Sequence, residues 1–76
     1  MNKSKIKVTK DTAYVCAVLL KCGTSYVIRA NRTKRGGFHE RVFELTKFGA
    51  KQVPAFIYVM NLRESGVSQT VELYKA

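Results

Sequence analysis

Hydrophobic and polar positions alternate with changing period along this chain. Ile6 and Val8 alternate with Lys5, Lys7 and Thr9, a period of two that predicts a short half-buried strand with its lysines in water. After a turn at Asp11-Thr12, Ala13 to Leu20 is apolar at both parities and rich in β-branched and aromatic side chains. That pattern predicts a central strand covered on both faces and running to about Lys21. Cys22-Gly23 or Gly23-Thr24 reads as a two-residue turn, and Ser25 to Asn31 as the returning strand. A turn of that length would set Val15, Ala17 and Leu19 beside Tyr26, Ile28 and Ala30 on one apolar face. The other face would mix Tyr14, Cys16, Val18, Leu20 and Val27 with Arg29 and Asn31, and so be partly covered.

Arg32-Thr33-Lys34-Arg35-Gly36-Gly37 has no side chain suited to a core and predicts an exposed loop. Phe38 to Leu45 reads as a strand, since a glycine pair after a strand suits a hairpin and Glu40/Glu44 at i, i+4 disfavours a helix. The alternative is a helix from Gly37 to Gly49 aligning Phe38, Val42 and Leu45. Thr46 to Gln52 is a polar connection leading toward a helix. Pro54 suits a first helical turn, Ala55 to Glu64 sets Phe56, Val59, Met60 and Arg63 along one stripe, and Gly66 ends it. Val67 to Tyr74 returns to period two. The sum is β-β-β-β-α-β, an α+β fold in which a small antiparallel sheet carries one helix on a face.

At 76 residues the chain is expected to be a single domain with a small core, residues 1–4 forming a flexible basic arm. No secretory signal is visible, and neither Ala13 to Leu20 nor Val53 to Met60 approaches the roughly 20 apolar residues that span a bilayer. The expectation is a soluble cytoplasmic protein, in the host cytoplasm if the chain is viral. If the strand is extended, Cys16 and Cys22 stand about 20 Å apart, beyond disulfide reach. One histidine and no CxxC leave no metal-site spacing and imply no cofactor.

Charge sharpens this picture. The formal net charge is +9, and up to Lys51 twelve Lys/Arg face only Asp11, Glu40 and Glu44. Beyond Lys51, Arg63 and Lys75 cancel Glu64 and Glu72. An uneven surplus of this kind suggests an electropositive surface and a polyanionic partner.

The candidate contacts follow from that surplus. Arg32, Thr33, Lys34 and Arg35 would form the tip of a β-ribbon, with Arg29 on the incoming strand and Arg41 on the outgoing one; such a ribbon fits a DNA major groove. Lys3, Lys5, Lys7 and Lys10 form a second basic cluster able to add phosphate contacts. Phe38, beside the glycines, is the candidate for base stacking. His39 has basic neighbours, yet a lone imidazole with five scattered acids builds no convincing acid–base or two-metal site, so no enzyme is expected. Phe56, Tyr58 and Met60 belong to a helix apolar nearly all round, which predicts either burial between layers or a protein interface, including a homodimer through the helix face.

The leading expectation is a small non-catalytic protein that grips the phosphate backbone of DNA or RNA. The alternative is a small inhibitor or adaptor, of the compact kind that phages encode, docking on an acidic host protein. Membrane attachment is not expected, for want of a basic amphipathic helix or lipid anchor. A three-stranded sheet followed by a helix is similar in outline to the small DNA-binding domains of phage integrases and plant transcription factors. That resemblance is one of element order and carries over no residues.

Overall fold

The computed structural model describes residues 8–76. Five strands and one helix follow in the order β1 (Thr12–Leu20), β2 (Ser25–Arg32), β3 (Phe38–Thr46), β4 (Gly49–Val53), α1 (Ala55–Ser65) and β5 (Val67–Lys75). The strands form one antiparallel sheet ordered β4-β3-β2-β1-β5, with the helix on one face. This is the expected α+β class, and Phe38–Thr46 is a strand rather than a helix. Ile6, Lys5 and Lys7 lie outside the described residues, and Val8 is not part of a strand.

One strand of the sheet was not expected from the sequence. Gly49–Val53, read from sequence as a connection, pairs with β3 from Thr46↔Gly49 to Val42↔Val53. Lys47-Phe48 makes the turn, where the Phe48 N–H donates to Thr46 Oγ1 and the Thr46 hydroxyl donates to the Gly49 carbonyl.

The face assignment of the first hairpin is also corrected. Its loop holds three residues, Lys21-Cys22-Gly23, because Leu20 N–H donates to Thr24 O (2.9 Å) and Gly23 N–H to Leu20 O (2.9 Å). Gly23, at φ 98, supplies the left-handed residue that such a loop requires. One residue more than the expected turn exchanges the faces of the partner strand. Tyr14, Cys16 and Val18 thus stand opposite Ala30, Ile28 and Tyr26, while Val15, Ala17 and Leu19 stand opposite Arg29, Val27 and Ser25.

The core forms on the first of these faces, where Val18, Leu20, Tyr26 and Val42 are joined by Ile28 and Val53 and covered by Tyr58 and Leu62 of the helix. Tyr26 is fully buried; its ring meets Tyr58 edge-on at 5.0 Å, and its hydroxyl accepts from Asn61 Nδ2 at 2.6 Å. Pro54 opens the helix. Gly66 closes it, donating to Leu62 O and accepting from the Lys21 N–H. No residue of the helix is fully buried, and a cleft of about 430 Å³ opens between it and the sheet. The helix thus lies on a single layer with its outer side in solvent. Burial between two layers, one of the two arrangements expected for so apolar a helix, does not occur.

Candidate nucleic-acid interface

The β2–β3 loop repeats the three-residue geometry of the first hairpin. Thr33 N–H donates to Gly37 O, Gly36 N–H to Thr33 O, and Gly37 N–H to Thr33 Oγ1. Thr33 thus builds the turn. Lys34 and Arg35 occupy its tip and are exposed, and Arg32 stands opposite Phe38 at its base. Two further backbone bonds bring distant cations to this end of the sheet. Arg32 N–H donates to Asp11 O, which sets Lys10 alongside, and Ala76 N–H donates to Ala13 O, which brings in Lys75.

Register then sorts charge between the two faces. Arg29 lies opposite Arg41, and Asn31 opposite His39, on the face without the helix. Like charges directly across a strand pair are unfavourable on their own. The Arg29 guanidinium lies over Phe43, 5.7 Å from the ring centroid, and the buried Oδ1 of Asn31 has no partner among the described residues. The strand carboxylates Glu40, Glu44 and Glu72 fall on the other face, opposite Ala30, Tyr26 and Cys16. Glu40 is further engaged by the Tyr14 hydroxyl, which donates to it. That hydrogen bond, helped by burial, pushes the Tyr14 phenol up to about 12.

The loop end therefore gathers Lys10, Arg29, Arg32, Lys34, Arg35, Arg41 and Lys75 against Asp11, Glu40 and Glu72. The far end holds Lys21, Lys47, Lys51 and Arg63 against Glu44 and Glu64, with Glu44 directly opposite Lys51. The described cations thus converge more densely at one end than at the other. Lys75 was invisible as a member of this cluster in the sequence, where it only balances a nearby acid. Its recruitment depends on β5 lying antiparallel beside β1.

Beside the loop, a cleft of about 400 Å³ is lined by Tyr14, Arg32, Phe38, Glu72 and Lys75 over a floor of Ala13 and Cys16. Phe38, the stacking candidate, is 62% exposed there. Of the interface candidates on the helix, Phe56 (61%) and Met60 (54%) face solvent, whereas Tyr58 turns inward onto Tyr26. Burial raises the Tyr58 phenol. Both cysteines are free, Cys16 half-buried and Cys22 exposed. No helix of the described residues is long and apolar enough to cross a membrane. No family model, curated protein or solved structure matches the chain.

Proposed function

We propose that this protein is a non-catalytic nucleic-acid-binding protein that grips the phosphate backbone with the loop end of its sheet. The observation that carries this reading is the convergence there of seven cations from three separate stretches of chain, with the strand carboxylates directed to the helix side. Lys34 and Arg35 stand at the loop tip and meet phosphates first, with Arg32 behind them at the base of the loop. Arg29 and Arg41 continue the cationic track along the helix-free face. Contacts of this type position a polymer without reading its bases, so modest sequence preference is expected.

The test is a filter-binding titration of DNA and RNA across a range of salt concentrations. Replacing Arg32, Lys34 and Arg35 together by Ala weakens binding at every salt concentration. If each holds one phosphate, it also flattens the plot of log affinity against log salt by about 2.7 on duplex DNA or about 2.1 on a single strand. Unchanged affinity and slope would remove the loop from the mechanism.

A second reading is favoured by the helix. Phe56, Val59 and Met60 present an apolar outer surface, 38–61% exposed, that suits a protein partner. An acidic host protein would be steered by the basic end and held by this surface. Retention of one acidic protein after nuclease treatment, lost in Phe56→Asp but kept in the triple loop variant, would favour this reading over the first.

A further inference from the structure

We propose that the cleft beside the loop receives one unpaired base of a single-stranded nucleic acid: its ring stacks on Phe38, Arg32 and Lys75 hold the flanking phosphates, and Glu72 accepts a hydrogen bond from its exocyclic amine. This rests on the nucleic-acid reading above and narrows it from any phosphate backbone to a single strand.

Three properties of the cleft converge on that ligand. Its volume of about 400 Å³ suits a ligand of nucleotide size. Its wall carries a large aromatic ring that is 62% exposed and so open to stacking. Its charges are mixed, Arg32 and Lys75 being accompanied by one carboxylate, Glu72. A site built for phosphate alone gains nothing from a carboxylate. A site for a nucleotide does, because the phosphate seeks the cations while the base edge offers N–H donors.

Topology places these groups together. Arg32 and Phe38 are cross-strand partners at the base of the β2–β3 loop, while Glu72 and Lys75 stand opposite Cys16 and Tyr14 on the other side of β1. The aromatic ring and the carboxylate thus come from opposite sides of β1. A base entering between them meets a stacking surface on one side and an acceptor on the other.

The geometry implies two selectivities. Bases within a duplex have both faces covered by neighbours and cannot stack on a side chain without leaving the helix, so the cleft selects unpaired strands. A carboxylate accepts from the N4 amine of cytosine but repels the O4 carbonyl of thymine, so the cleft favours cytosine over thymine.

The experiment uses the full chain at neutral pH and fluorescence anisotropy with oligo-dC, oligo-dT and a duplex, each of about 12 nucleotides or base pairs, a length within the site sizes of small single-strand binders. Oligo-dC is expected to bind about fivefold tighter than oligo-dT, with Glu72→Gln abolishing the difference. Phe38→Ala is expected to weaken oligo-dC binding about tenfold while leaving duplex binding unchanged. The chain has no tryptophan, so Phe38→Trp provides a direct reporter whose emission oligo-dC quenches on binding and duplex does not. Duplex binding equal to single-strand binding, with Phe38→Ala and Glu72→Gln both silent, would overturn this inference and leave the backbone grip standing. Failure of all three probes to bind even at low salt would overturn both.

Discussion

At the scale of single residues, two side chains report on the structure without any ligand. Cys22 is exposed at the tip of the first hairpin, and hydrogen bonds between its sulfur and the side chains of Ser65 and Thr24 lower the thiol from the ordinary 9.0 to about 7. Since the thiolate is the reactive form, alkylation should rise with pH through a midpoint near that value, faster at Cys22 than at half-buried Cys16. Ser65→Ala should move the midpoint up; mass spectrometry after timed iodoacetamide quenches reads both. A midpoint at the ordinary value would mean that the sulfur lacks these hydrogen bonds. Tyr26 offers the second report. Its hydroxyl accepts from Asn61 in the helix, so Tyr26→Phe removes the acceptor while keeping the ring, and should cost about 1 kcal/mol in urea unfolding. No cost would mean that water already serves Asn61 equally well.

At the scale of elements, the two three-residue hairpins govern which side chains share a face, and their glycines are the sensitive points. Gly36 has φ 89, and a Cβ there would meet nothing within 4 Å. Gly36→Ala is therefore penalised through the backbone alone, by about 1 kcal/mol or somewhat more. Its neighbour Gly37 lies outside the left-handed region, and its added Cβ would sit 3.7 Å from Thr33 Oγ1, an ordinary contact. Gly37→Ala should stay within about 0.5 kcal/mol of neutral by thermal denaturation. Equal effects at both positions would contradict the loop geometry.

The same loops explain what could be read in advance. The strands Ser25–Arg32, Phe38–Thr46 and Val67–Lys75 and the helix Ala55–Ser65 were legible because their side-chain periods or their glycine and proline boundaries announce them. Strand Gly49–Val53 was not, since Gly-Ala-Lys-Gln-Val has little pattern and owes its conformation to backbone pairing with β3. The face on which Arg29 lies turned on a loop one residue longer than expected, a distinction that Lys21-Cys22-Gly23-Thr24 does not disclose. Of the cleft, Phe38 and Arg32 were visible as a neighbouring pair. Glu72 and Lys75 were not, because only the crossover of the helix returns β5 to the side of β1.

At the scale of the whole molecule, a thin fold leaves much of its surface available for contact. The helix covers one face of a single sheet and the largest buried cluster lies beneath it, while Val15 and Val27 are buried on the other face. The loop cations belong to neither group, so function and stability are separable, and the triple loop variant should unfold at the same urea concentration as the parent. If instead the outer side of the helix joins two copies, sedimentation velocity will show a dimer that Met60→Glu dissociates. A monomer at all concentrations would leave that surface to a different partner. The account as a whole is tested most directly by recording backbone amide shifts of the 15N-labelled chain while oligonucleotide is added at low salt. Shifts confined to Lys10–Cys16, Arg29–Arg41 and Glu72–Ala76 are the predicted result; shifts centred on the outer helix or on the Lys47–Lys51 end, with the loop end silent, would contradict it.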